Sequence, residues 1–235
     1  MLSLGINASR PVAEILIIVV GVLIALGVDN WNDNRIDRNL EAEYLARLTE
    51  DLQYNIQRST GMTETLDRKV ELLKQVGEIT VHEFQSDPDS AVYALRFGAQ
   101  FGWALPEFRT GTVEELQSTG NLGLIRDVRL RAALNYYDVR YRSLIETIEA
   151  RMTGYPSYVY SLLPDFEDSL VDSSLPSQQL SSQSIDEIAG EIQTVEFRRL
   201  LNQERNYAAH AARRIREIQA LSEDTLESLT EELSN

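Results

Sequence analysis

The run ILIIVVGVLIALGV, Ile15 to Val28, carries no charge, and Val12 and Ala13 extend it backwards across the single carboxyl of Glu14. At ~1.5 Å per helical residue, Pro11 to Trp31 covers roughly 31 Å, close to the hydrocarbon thickness of a bilayer. Pro11 suits a first helical turn, where its missing N–H is not required, and Trp31 suits the interfacial belt. This reading predicts a transmembrane helix over 11–31 behind a short leader, 1–10. A cleavable signal peptide and an interior helix of a soluble protein are the rival readings. After the apolar core comes DNWND, Asp29 to Asp33, with no small-x-small cleavage pattern, and the chain then continues in helical rhythm, which favours a retained anchor.

At ~100° per residue, Glu14, Gly21 and Ala25 fall within about 40° of one another. Small residues four apart let a second helix approach closely, and a carboxyl at membrane depth faces protein or water. The stripe is therefore expected to be a membrane-helix packing face, its partner another transmembrane helix in a homo-oligomer or a larger membrane complex. The competing reading places Glu14 near the headgroups, reaching interfacial water. Asn30, Trp31 and Asn32 are the expected membrane interface. Arg10 before the run and Arg35, Arg38 and Arg47 after it do not decide which side the remainder occupies.

The net charge is −15, and only Arg10 and Glu14 precede residue 29, so the acidic excess belongs to the chain beyond the apolar run. Such a surface repels phosphate backbones, so nucleic acid is not expected as a partner. The chain has no cysteine, which removes disulfides, thiolate metal sites and cysteine nucleophiles together, and its two histidines, His82 and His210, stand apart. No Walker loop, dinucleotide fingerprint, nucleophile elbow or H-E-x-x-H motif occurs. No catalysis, cofactor or metal is expected, and an enzymatic reading would need a site in the aromatic loop from Trp103 to Arg109. Asp29, Asp33 and Asp37 have hard-cation chemistry at helical spacing, but a solvated face is the simpler reading.

Beyond the anchor the pattern is helical throughout. Leu40, Tyr44, Leu48, Leu52 and Ile56 repeat every four residues, and nothing breaks the chain between Val28 and Leu40, so the membrane helix is expected to run on as a stem. Separate helices are predicted over Met62–Val81 and Ser90–Phe97, folded back on the stem. Gly98–Gly111 reads as a structured loop, and Thr112 with Glu115 as a capping box opening a short helix to Ser118. Thr119-Gly120-Asn121 makes the turn, and Asp127 caps a long helix over Val128–Met152. Gly154 and Pro156 end that helix. Thr194 caps the last one, whose arginines pair with acidic neighbours or bind an anion, and whose acidic end, Glu217 to Glu232, opposes the helix dipole and should fray.

The expected fold is all-α: one N-terminal transmembrane helix continuous with a stem helix, followed by an antiparallel helical bundle. Its divisions are 32–153 for the first part of the bundle, 154–184 for a Pro/Ser-rich insertion and 185–235 for a C-terminal helix completing it.

Two stretches, EILIIVVGVLIALGVDNWNDNR (Glu14 to Arg35) and TVEELQSTGNLGLIRDVRLRAALNYY (Thr112 to Tyr137), resemble a family of uncharacterised bacterial single-pass membrane proteins catalogued as a domain of unknown function. The resemblance implies an inner-membrane protein with its larger part on the periplasmic side. It supplies no activity and no catalytic residues. Members usually carry a more basic segment before the membrane helix, whereas here only Arg10 stands there. The resemblance singles out Glu14, Asn30, Trp31 and Asn32 at the membrane boundary, and Gly120 and Asn121 at the turn. The function expected is an accessory or scaffolding subunit of a membrane assembly, with an extracytoplasmic sensory input domain as the alternative.

Overall fold

The computed structural model describes residues 9–100, 107–149, 153–163 and 180–233; of 9–15 and 17 it describes the backbone alone. The described residues form eight α-helices and no strand. They are α1 (Ser9–Glu78), α2 (Val81–Ser86), α3 (Pro88–Gln100), α4 (Gly111–Ser118), α5 (Val128–Glu149), α6 (Tyr155–Leu162), α7 (Ser182–Glu191) and α8 (Val195–Leu233), with a 3-10 turn at Asn121–Leu124. The all-helical class and the long N-terminal helix agree with the sequence reading.

The division of the first segment does not. In place of a break near Gly61 and a new helix from Met62, α1 runs unbroken for 70 residues. Gly61 is exposed and costs about 1 kcal/mol of helix propensity, too little to interrupt a helix held on both sides. A buried seam holds it. Leu48, Leu52, Asn55, Ser59, Met62, Leu66, Lys69, Leu73 and Val76 succeed one another in alternating steps of four and three, all buried except the half-buried Met62. Helix α8 presents the matching line Phe197, Leu201, Glu204, Ala208, Ala211, Ile215, Ile218, Ser222, Thr225 and Leu229, all buried. Alternating four and three is a 3.5-residue repeat, the rhythm by which two helices keep facing each other along their whole length. Tyr44–Leu52 meets Leu221 and Leu229, and Leu73 and Val76 meet Phe197 to Leu201, so α8 returns along α1 in the opposite direction.

Three apolar clusters lie along this pair. The first joins Tyr44 to Leu52 with Val113, Leu116, Ile125, Leu130, Leu134 and Tyr137. The second joins Leu66 with Leu144, Ile148 and the Ala208–Ile218 stretch of α8. The third gathers Leu73, Val76 and Phe84 with residues of α3, α6, α7 and the start of α8. Because the start of α5 packs in the first cluster and its end in the second, α5 runs in the same direction as α1. In the third cluster Gly98 fits where no side chain would: a Cβ there would lie 2.5 Å from Leu73 Cδ2 and 3.2 Å from the Tyr155 hydroxyl.

Several end signals act as expected. Asp127 Oδ1 accepts from the backbone N–H of Leu130, and Thr194 Oγ1 accepts from that of Phe197, fixing the starts of α5 and α8. Others act differently. The capping box forms at Thr80 and Glu83, not at Thr112 and Glu115. Helix α4 begins one residue before Thr112, whose hydroxyl donates to Asp51 at 2.6 Å, while Glu115 is held by Tyr44 and Arg47. The acidic end of α8 stays helical to Leu233, because Leu221, Leu226 and Leu229 pack into the first cluster and outweigh the unfavourable dipole term of a few tenths of a kcal/mol. In the expected insertion, Tyr155 and Val159 of α6 are wholly buried, and 164–179 lies outside the described residues.

Candidate functional site

The described side chains of α1 that precede the clusters are exposed almost throughout. Leu16, the stretch from Ile18 to Leu26, Val28 and Trp31 are all exposed, with Ile18 at 65% and Trp31 at 63%. Of the expected packing stripe, Gly21 and Ala25 face open space, and a Cβ on Gly21 would meet no atom within 4 Å. The third member, Glu14, has its side chain outside the described residues. Among the described residues no helix is long and apolar enough to cross a membrane. The apolar run begins at Val12, ahead of the first described side chain at Leu16.

At the expected interface, the Arg35 guanidinium lies 5.7 Å from the Trp31 ring centroid and donates to Asn32 Oδ1 at 3.2 Å, while Asn34 Nδ2 donates to the Asn30 carbonyl at 2.7 Å. Asn32 is half-buried by this arrangement, and Asp29, Asp33 and Asp37 are exposed. Trp31 and its polar neighbours thus form a ring where the apolar surface gives way to an exposed polar stem that ends at Leu40.

Gly120 and Asn121 sit elsewhere, against the far end of that stem. Gly120 has φ +76°, the left-handed conformation that closes α4 and turns the chain. Asn121 Nδ2 then donates to the Tyr44 hydroxyl at 3.0 Å, and that hydroxyl donates to Glu115 Oε1 at 2.9 Å. Arg47 donates to Glu115 Oε2 at 2.5 Å. The Arg47 hydrogen bond, with that of Tyr44, holds the Glu115 carboxyl below the usual carboxylate range. A few residues on, the Arg126 N–H donates to Glu41 Oε1 at 2.7 Å. The turn is a fastening of α4 and α5 onto α1, and its carboxylate is committed to fixed donors. Replacing Gly120 with alanine forces a Cβ into the left-handed region and costs about 1–2 kcal/mol, read as a lower urea midpoint.

Beside this fastening lies an open groove of about 400 Å³ lined by Arg47, Glu50, Asp51 and Phe108 to Thr112. Its charges are of both signs, so it attracts neither anions nor cations strongly. The Arg109 guanidinium lies 4.1 Å from the Tyr54 ring centroid, and Glu107 is exposed. The rest of the aromatic loop, 101–106, lies outside the described residues. His82 is exposed on α2 near Ser86, and His210 is buried on α8. Among the described residues no group of three or more His, Cys, Asp or Glu side chains is placed to hold a metal ion.

Two buried polar arrangements escaped the sequence reading. Lys69 of α1 and Glu204 of α8 form an ion pair with both side chains out of solvent, and Thr153 also donates to Glu204. Burial pushes the Lys69 ammonium down to about 8 despite the pull of Glu204. Asn55, fully buried, accepts from the Arg109 N–H at 2.7 Å and donates to the Arg109 carbonyl at 2.8 Å and the Tyr137 hydroxyl at 2.9 Å. Both lie out of solvent between packed elements, which is the geometry of structural pins.

No protein-family profile, curated protein or solved structure matches this chain. Its function has to be sought in its own surfaces.

Proposed function

We propose that this chain is a single-pass, membrane-anchored helical protein that acts as an accessory or scaffolding subunit of a membrane protein assembly and performs no catalysis. The observation that carries the reading is the bare apolar length of α1. Nine large aliphatic side chains between Leu16 and Val28 are each about half exposed. Leaving them in water costs on the order of 10 kcal/mol relative to an apolar environment, a cost no natural sequence retains without a lipid or protein cover. The ring of Trp31, Asn30, Asn32 and Arg35 has the chemistry of a headgroup boundary. Glu14, Gly21 and Ala25 are the contact offered to a partner transmembrane helix. The resemblance of Glu14–Arg35 and Thr112–Tyr137 to the uncharacterised membrane family supports the same reading, and with it a bundle on the periplasmic side of a bacterial inner membrane.

Fractionation tests this. The full chain is expected to pellet with membranes and to resist alkaline extraction, and the double substitution Leu23→Asp, Ile24→Asp is expected to release it. A wild-type chain that remains in the supernatant after ultracentrifugation without detergent sinks the anchor. The accessory role fails if no partner co-purifies from native membranes in detergent, or if Gly21→Leu leaves the recovered partners unchanged.

One observation favours the sensory alternative. Helix α1 is continuous from the apolar run into all three clusters, so a rotation or shift at either end is carried to the other. Inserting a single alanine between Arg35 and Ile36 would turn one part against the other by ~100°. A signal would invert or vanish, whereas a scaffold would keep its partners.

A further inference from the structure

Outside α1, the exposed large apolar side chains of the described surface are Val81, Val128, Tyr136, Val139, Val195 and Leu233, and three of these share one face of α5. Tyr136 is 62% exposed and Val139 69%. Along that face Arg129, Ala132, Tyr136, Val139, Ser143 and Glu146 are all exposed and succeed one another in steps of three, four, three, four and three. A helix that packs only against its own domain does not need apolar residues there, and the spacing is that of a helix–helix seam.

The seam is symmetric about the bond between Tyr137 and Asp138. A second α5 running antiparallel would therefore set each position against its mirror: Tyr136 on Val139, Ala132 on Ser143 and Arg129 on Glu146, every pair occurring twice. Large meets apolar at the centre, small meets small beside it, and opposite charges close both ends. The distribution of ion pairs makes the same point. Arg126, Arg140 and Arg142 are paired with Glu41, Glu217 and Asp138, and Arg131 is bonded to the Ile125 and Arg126 carbonyls. Arg129 and Glu146 alone on this face are in no ion pair among the described residues. A parallel pairing would instead oppose Arg129 to Arg129 and Glu146 to Glu146, which repels.

We infer that α5 is a self-association face, on which a second copy of this chain docks its own α5 antiparallel about a two-fold axis. The inference uses no residue of the apolar run, and its geometry constrains the membrane reading rather than following from it. It has a geometric consequence. Because α5 runs in the direction of α1, the pair sends the two apolar segments away from each other, so the contact joins copies that do not share one flat bilayer: copies in solution or detergent, or copies facing each other from apposed membranes. One helix face per partner is a small interface, so the association is weak, roughly micromolar or weaker.

The test is sedimentation of the full-length chain in mild detergent over a range of concentrations. The wild type is expected to pass from monomer to dimer, and Val139→Arg to weaken the dimer at least tenfold. Arg129→Glu and Glu146→Arg are each expected to weaken it about tenfold, because each is felt at both ends, and the double charge swap Arg129→Glu, Glu146→Arg to restore it. The two positions lie about 25 Å apart along one helix, so such a rescue arises only between chains. A chain that stays monomeric at every concentration overturns the proposal. So does a dimer indifferent to the three single variants, which would place association on another surface such as α1 and leave the membrane reading untouched.

Discussion

Replacing Glu204 with alanine is expected to lower the stability of the folded chain by about 3–5 kcal/mol, and with it the melting temperature by roughly 10 °C. The loss comes from the partner left behind. Lys69 has no exposed surface, so without Glu204 its ammonium loses the carboxylate paired with it in the core and must hold its charge there without that carboxylate, give up its proton, or drag the α1–α8 seam open. Lys69→Ala mirrors the effect by leaving the Glu204 carboxylate with the Thr153 hydroxyl as its one side-chain donor among the described residues. The informative variant removes both charges. Burial already drives Lys69 down to about 8 although Glu204 lies against it, so the charged form is less comfortable here than in water. An apolar pair, Lys69→Met with Glu204→Leu, is therefore expected to unfold at a higher temperature than either single variant. A double variant as unstable as either single one would mean instead that the pair contributes net stability. If the double variant is stable but shows altered hydrogen exchange along α1, the pair serves to fix the register of the two long helices.

The same residues show how much of the fold the sequence disclosed. The period-of-four reading of α1 tracked Leu40, Tyr44, Leu48, Leu52 and Ile56, but Ile56 is only half-buried and the seam passes through Asn55. From there it continues through Ser59 and Lys69, polar types that a hydrophobicity pattern scores as surface. Apolar periodicity broke where the buried line became polar, and the expected break near Gly61 arose from that. A strict alternation of four and three would have kept the line, and would have marked Asn55, Lys69 and Glu204 as polar residues at seam positions. In α5 the line is apolar almost throughout, and there the sequence located the helix, its cap and its buried face; in α8 it located the helix and its cap, but the buried polar Glu204, Ser222 and Thr225 went unread. Thr112 misled for a different reason: its local partner Glu115 had better long-range ones in Arg47 and Tyr44, and no local pattern encodes them. The turn at Gly120 was legible because only glycine adopts its backbone conformation freely. The role of Asn121 was not, since Tyr44 lies 77 positions away.

Asn55→Ala is the second large effect expected, at about 3 kcal/mol. The Asn55 side chain substitutes for a strand neighbour: its amide satisfies both backbone groups of Arg109, and the same nitrogen that reaches the Arg109 carbonyl also reaches the Tyr137 hydroxyl. Truncation removes the partner of one N–H and one carbonyl at once and leaves a small cavity between α1 and α5. Asn55→Asp keeps the acceptor for the Arg109 N–H but loses the donor, and sets a buried carboxylate against the Arg109 carbonyl, so it is expected to be worse than alanine at pH 7 and to recover as the medium is acidified and that carboxyl takes up a proton. The sign comes from a carboxyl whose folded pKa lies above its unfolded value: the penalty is present above both values and disappears below both. Equal stability of the two variants across pH 4 to 8 would mean that water reaches the site. The segment from Glu107 to Thr110 has no helix of its own and is fastened to α1 chiefly through Asn55, so both variants should raise amide exchange there before anywhere in α5 or α8. That local loosening, preceding any loss of the α1–α8 seam, separates a pin for one loop from a general weakening of the core.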